Sequence, residues 1–177
     1  MTLPVRRLVA VLALGAALVT AGCGTTRAGT AAVVDGSVIS QSDVTSAMQQ
    51  VNSMDPVLLQ SELTPSGTLT ALIQAPVILD FLAERGLVVS ESVATNDAQV
   101  RGVEDPSEST VEVIRLASSI LAAQQGGQLT EQDTVELSDL LRNRDIEVNP
   151  QYGTFNAATA SVDLGLPPWV TLAAPAQ

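Results

Sequence analysis

The chain has 177 residues, with 19 acidic and 8 basic side chains, no histidine and a single cysteine. All eight basic residues are arginines, which excludes a Ser-His-Asp triad, a Cys-His pair, a lysine Schiff base and a P-loop lysine. Histidine-ligated zinc is excluded because the chain has no histidine, and an internal disulfide is excluded because it has a single cysteine. The length is that of one domain. The remaining possibilities for function are catalysis by carboxylates, catalysis by hydroxyl groups, or no catalysis at all.

The N-terminus has the pattern of a signal peptide. Arg6 and Arg7 precede an unbroken apolar run, residues 8–19, which is too short to span a bilayer. Small residues stand directly before Cys23, as in the lipobox of bacterial lipoproteins, and this predicts cleavage before Cys23 and its acylation, with palmitate among the acyl groups. Thr20 departs from the lipobox pattern, which usually has leucine there. Plain secretion with a free Cys23 thiol is the alternative.

Removal of residues 1–22 would leave 155 residues with a net charge of −13, because Arg6 and Arg7 are lost. The six remaining arginines are scattered among 19 carboxylates, so nucleic-acid binding is excluded. We expect membrane contact through acyl chains on Cys23, which places the protein on the extracytoplasmic face of the cell membrane. Residues 23–30 then form the lipidated cysteine and a flexible tether.

The first predicted elements are a hairpin and a helix. Residues 31–39 place two β-prone pieces around Asp35-Gly36, a dipeptide typical of the type I′ turn. Ser40, with Asp43 three residues later, is typical of a helix start. We expect this helix to end near residues 52–56.

A longer helix is predicted from Thr68 to Arg85. Gly86 suits the left-handed position that commonly follows a helix end. Pro76 lies inside this helix, where it removes one backbone hydrogen bond. The sequence therefore predicts either a kink or a break at Pro76.

The remaining predicted elements are three helices, a short strand and a tail. Each helix has a start signal or an apolar periodicity of three and four residues. Proline and little periodicity at the C-terminus predict an extended or disordered tail. The predicted ranges are a short helix capped by Ser90, a connector at 102–109, a helix at 110–125, a helix opened by Thr130 and Asp133, a strand at 146–148 and the tail at 157–177.

Three stretches resemble one family. They are AAVVDGSVISQSDV at 31–44, ERGLVVS at 84–90 and IEVNPQYGTF at 146–155. Together they are similar to the N-terminal chaperone domain of SurA and PrsA type foldases, in a short lipoprotein form without a parvulin module. The resemblance implies a mainly α (α+β) domain over residues 31–156, in which a small hairpin and sheet join the N- and C-terminal parts.

The same resemblance implies function. In that family the domain holds unfolded or extended polypeptide in an apolar cradle and has no catalytic residues. Parvulin-type active sites use histidines, which this chain lacks, so prolyl isomerase activity is not expected. We expect no cofactor and no small-molecule substrate.

Two groups of carboxylates are the remaining candidates for catalysis. Both lie at predicted helix starts, where the helix dipole favours acids and the side chains stay solvated. We therefore predict no catalytic residues, although glycoside hydrolysis needs only two carboxyls. No stretch matches a calcium-binding loop, and no metal site is predicted. The groups are Glu104, Asp105 and Glu108, and Glu131, Asp133 and Glu136.

A polypeptide-binding surface requires exposed apolar side chains. Met48 and Met54 are candidates because flexible thioethers adapt to varied partners, and Leu58 and Leu59 follow in a stretch with weak helix signals. The alternative for all four is burial in the core, which the helical spacing of Met48 favours.

The sequence thus predicts a lipid-anchored, extracytoplasmic, non-catalytic protein that binds unfolded or extended polypeptides in the manner of a chaperone. The alternative is a structural or assembly subunit that docks one fixed partner in the cell envelope. An envelope enzyme that uses carboxylates is a third, weaker hypothesis.

Overall fold

The computed structural model describes residues 28–164, which form five helices and five short strands. This confirms the predicted class, mainly α (α+β). The order is β1 (Thr30–Val34), β2 (Ser37–Ser40), α1 (Gln41–Asn52), α2 (Pro65–Ala83), α3 (Glu91–Val100), α4 (Glu108–Gln125), α5 (Glu131–Arg142), β3 (Ile146–Val148), β4 (Thr154–Asn156) and β5 (Ser161–Asp163).

A three-stranded antiparallel sheet joins the two ends of the domain. Its strand order is β2-β1-β3, with β1 in the centre. Asp35 and Gly36 both have positive φ, 48° and 84°, as the predicted type I′ turn requires. The Asp35 N–H donates to the carbonyl of Asp145 at 2.8 Å and extends the pairing of β1 with β3.

Helix α2 begins three residues earlier than predicted. The Thr64 side chain accepts a hydrogen bond from the Gly67 N–H, and Pro65 occupies the first turn, where its missing N–H has no consequence. The helix is not broken at Pro76, whose side chain is exposed at the surface. Gly86, with φ of 69°, ends the helix as predicted.

The core forms where α2 packs against α1 and α4. Its largest fully buried side chains come from these three helices, and each stabilises the fold by about 1.5–3 kcal/mol relative to an exposed position. A second cluster of buried residues surrounds the C-terminal half of α2. The largest fully buried apolar side chains are Val44, Leu69, Ile73, Leu82 and Ile114.

The tail predicted from residue 157 onward is part of the fold over residues 157–164. Strand β5 pairs with β4 as an antiparallel hairpin, and this hairpin packs on α2. The Val162 N–H donates to Thr70 Oγ1 at 2.9 Å, and Gln74 Nε2 donates to the Ala160 carbonyl at 2.7 Å. These contacts order a segment whose sequence has no strand signal of its own. The rest of the predicted tail, residues 165–177, lies outside the described residues.

Candidate functional site

The four side chains predicted to bind polypeptide do not share one exposed surface. Met54 is only 2% exposed and belongs to the main core, which corrects the expectation that it forms part of a contact surface. Leu58 and Leu59 are partly buried and pack against the same core. Met48 is partly buried on α1.

Met54 is buried because the loop between α1 and α2 is tied to its neighbours at both ends. Asn52 makes two hydrogen bonds to the backbone of Leu63, at 2.8 and 3.0 Å. Arg101 donates to the carbonyl of Pro56 at 2.7 Å, and its own carbonyl accepts from the Asp55 N–H at 3.0 Å. Such contacts join distant parts of the chain and leave no local pattern in the sequence.

A cleft of about 300 Å³ lies between the N-terminal hairpin, α2 and the first turns of α1 and α4. Its apolar lining comes from Leu72, Ile73 and Val77 on α2 and from Val38 and Ile39 on β2. Such a cleft, apolar with a few polar groups around it, is the usual form of a binding site. We take it as the candidate functional site.

Strand β2 has a free edge at this cleft, since β1 is its only neighbour in the described sheets. Val34 and Ser37 flank the two-residue turn as a hydrogen-bonded pair, so by alternation the N–H and C=O of Val38 point away from β1. The Val38 side chain is 49% exposed. The edge therefore offers one backbone donor, one backbone acceptor and an apolar side chain.

Pro76 lies on the α2 wall of the cleft. Because proline has no N–H, the Leu72 carbonyl four residues earlier lacks the usual i+4 helical donor. Leu72 and Pro76 both line the cleft, but Leu72 is only 3% exposed.

Three carboxylates from two helices converge on the same cleft. Asp43 lies in the first turn of α1, and Glu108 and Glu112 lie one turn apart on α4. The Ser109 hydroxyl donates to the Asp43 carbonyl at 3.0 Å and holds the two helix starts together. Asp43 also accepts hydrogen bonds from the Ser40 N–H and hydroxyl, which completes the predicted capping box.

Glu112 is half-buried beside this cleft. Burial raises its pKa, the nearby negative charges of Glu108 and Asp43 raise it further, and Arg115 opposes the shift. Asp43 and Glu108 lie in first turns, where the helix dipole offsets their charge, whereas Glu112 lies beyond that turn.

The cleft is also lined by one arginine, which is already paired. Arg144 Nη1 lies 2.6 Å from Asp35 Oδ2, and this hydrogen bond together with one from the Asp145 N–H lowers the pKa of Asp35. The charges of Arg144 and Asp35 cancel, so the net charge of the cleft is the negative charge of Asp43, Glu108 and Glu112. From the sequence, Asp43 and Glu108 were expected only as helix-start or solvated residues, and no signal singled out Glu112.

The other acidic group has a structural role. Asp133 caps α5 with Thr130, as predicted, and also lies 2.9 Å from Arg85 Nη2. Hydrogen bonds from Thr130 and Arg85 lower the pKa of Asp133. Glu136 pairs with Arg85 at 3.2 Å. These contacts attach α5 to the end of α2.

A second apolar surface lies between α3 and α4. Val93, Val100 and Leu121 are all more than half exposed there, and Val100 reaches 75%. Leu58 lines the same shallow depression of about 530 Å³. Of the four residues predicted to bind polypeptide, Leu58 is thus the one that borders an exposed apolar surface in the described part of the chain.

Other features of the described residues point to no further site. Within residues 28–164, no group of three or more potential ligands could hold a metal ion. Helix α2 is long and apolar enough to cross a membrane, with a mean hydropathy of 1.4, but 61% of that window is buried inside the protein. Cys23 and the predicted signal peptide lie outside the described residues.

Comparison with known proteins finds no match, whether among family models, curated proteins or solved structures. The resemblance to SurA and PrsA type foldases therefore depends on the sequence motifs alone and stays a prediction.

Proposed function

We propose that this protein is a non-catalytic, chaperone-like binder of extended or unfolded polypeptide, with the cleft beside β2 as its binding site. The observation that carries the proposal is the free edge of β2 next to an apolar surface formed by α2. An extended peptide can add to a free strand edge through its main chain while its side chains enter neighbouring pockets.

Binding at this edge is expected to be weak and to tolerate many sequences. Val38 offers only one N–H and one C=O for main-chain pairing, and main-chain bonds carry no sequence information. The apolar area of Leu72, Ile73 and Val77 adds burial of the ligand's side chains. Fast, micromolar binding of many segments suits a protein that must release what it holds.

The proposal includes a lipid anchor at Cys23. Strand β1 begins at Thr30, so the tether between the lipid and the fold would be only a few residues long. It would hold the cleft close to the extracytoplasmic face of the membrane. The excess of carboxylates would keep complexes with apolar polypeptides soluble.

The proposal is tested with the full-length chain and a fluorescent extended peptide rich in valine. Val38→Ser is expected to weaken binding about five-fold, because one apolar contact at the strand edge is removed. Val135→Ser is the matched control, since Val135 is 58% exposed on α5, away from the cleft.

The same peptide with N-methyl groups on alternate residues separates strand pairing from apolar contact. Methylation removes main-chain donors and is expected to abolish binding if the peptide adds to β2. Equal binding by Val38→Ser and the unmodified protein, or no binding of any peptide by the unmodified protein, would contradict the proposal.

A structural or assembly subunit is the second candidate. It is favoured by the surface between α3 and α4, where Val93, Val100 and Leu121 are exposed together. Exposed apolar patches of this kind often mark protein interfaces. One stoichiometric envelope partner that Val100→Ser releases, together with no response to the peptides, would favour this function over the first.

A further inference from the structure

We propose that the cleft prefers extended segments in which a lysine or arginine stands two residues from an apolar side chain. This inference rests on the proposed function, because it specifies which polypeptides the same site takes. It follows from the charge, the hydrogen-bonding groups and the shape of the cleft.

The charge of the cleft is complementary to a cation. Asp43, Glu108 and Glu112 line it, and its one arginine is already paired with Asp35. Glu112 has no salt bridge within residues 28–164. A cationic side chain beside Glu112 would offset the repulsion among the three carboxylates.

The hydrogen-bonding groups of the cleft are mostly acceptors. Besides the carboxylates, the Val38 carbonyl points outward from the edge of β2. Lysine and arginine side chains are donors only. They therefore match these groups, whereas an acidic side chain would meet acceptors and like charges.

The spacing follows from strand geometry. Apolar residues of α2 and the carboxylates of α1 and α4 line the same cleft, so one face of a bound strand meets both. Side chains two residues apart lie on the same face of a strand, separated by about 6.6 Å. An apolar side chain at one position and a cation two positions away can then occupy both parts of the cleft.

The test uses the full-length chain at low salt and four fluorescent peptides of one length. The first carries arginine two residues from a valine, the second carries citrulline in its place, the third carries glutamate, and the fourth has the arginine moved by one residue. We expect the first to bind about five-fold more tightly than the citrulline copy and to lose this advantage at high salt. The glutamate and shifted copies should bind more weakly than the first.

Two protein variants locate the effect. Glu112→Gln is expected to remove the preference for arginine over citrulline. Glu91→Gln is the matched control, because it removes the same charge from an exposed position on α3 that lies in a different depression. Circular dichroism of both variants checks that the fold is intact.

The outcomes separate this inference from the proposed function. Equal binding of the four peptides would overturn the preference and leave the peptide-binding function standing. An equal loss in Glu91→Gln and Glu112→Gln would also overturn it, since the net charge of the protein and not the cleft would then attract the cation. If the protein binds none of the four peptides, both the proposed function and the preference are overturned.

Discussion

At the scale of single residues, polar side chains of the helices hold the extended segments of the chain. Ser119 is fully buried on α4, and its hydroxyl accepts from the Val89 N–H at 2.9 Å. Arg115, one turn earlier, donates to the Val89 carbonyl at 3.2 Å. Gln50 on α1 accepts from the Ser107 N–H at 2.9 Å. In the described chain, every buried side-chain nitrogen and oxygen has a hydrogen-bond partner.

Glu112 is the residue whose charge should make stability depend on pH. Its pKa is raised above the ordinary value of 4.5, chiefly by burial, so the folded state binds this proton more tightly than the unfolded state. The stabilisation is complete below about pH 4.5 and is lost as pH rises through the raised pKa. We expect Glu112→Gln to exceed the unmodified protein in stability at pH 7.

The measurement is urea denaturation of both proteins at pH 7 and pH 4. The advantage of Glu112→Gln should be larger at pH 7 and should shrink at pH 4, where the native carboxyl is protonated. An advantage of the same size at both pH values would show that burial does not perturb Glu112. A stable variant also excludes unfolding as the reason for any loss of peptide binding.

At the scale of elements, local signals set where the helices begin and end. The capping boxes of Ser40 with Asp43 and of Thr130 with Asp133 are both present. The β4–β5 hairpin is different, because its position depends on the hydrogen bonds from Val162 to Thr70 and from Gln74 to Ala160. Helix ends are thus locally encoded, whereas this hairpin depends on α2.

Gly153 should be the most sensitive glycine of that hairpin. Its φ is 119°, and an added Cβ would clash with the Asp163 carbonyl oxygen. We expect Gly153→Ala to lower the free energy of unfolding by about 3 kcal/mol, through backbone strain and displacement of β5.

Gly127→Ala separates the strain from the clash. Gly127 also has a positive φ, 58°, but an added Cβ there meets no atom within 4 Å. This control should cost about 1 kcal/mol, from strain alone. If urea denaturation shows the same loss of unfolding free energy for Gly153→Ala and Gly127→Ala, the contact with Asp163 is relieved without loss of stability.

At the scale of the whole molecule, the cleft exists only because the two ends of the domain meet. Strand β1 pairs with β3, and Asp35 in the first turn pairs with Arg144 more than 100 residues later. The Asn149 N–H donates to the Ala31 carbonyl at 2.8 Å and extends the contact. The hairpin that forms one wall is thereby fixed relative to α2 and α4.

The proposed anchor makes a prediction for the complete protein. Intact mass of the chain extracted from its native membrane should correspond to loss of residues 1–22 and addition of two or three acyl chains at Cys23. Cys23→Ala should carry no lipid and should leave the membrane fraction. An unacylated mass of the native protein would instead indicate plain secretion.

The N-caps of α1, α3 and α5, the Asp35-Gly36 turn and the glycine at the end of α2 were predictable, because each depends on atoms within about five residues of one another. The mainly α class was implied by the resemblance to the foldase family, and the five helices of the fold confirm it. The candidate cleft was not predictable in this way. None of Met48, Met54, Leu58 and Leu59 lines it.

The sequence by itself determined the starts of α1, α3 and α5 and the turn of the first hairpin, since capping and turn preferences act over one or two turns of chain. Only the tertiary structure decided which apolar side chains are buried and which acids share a surface. In the tertiary structure, Met54 is buried within a loop that Asn52 and Arg101 hold in place, and Asp43 and Glu112 line one cleft. Such contacts depend on how distant elements pack, and no local pattern records that packing.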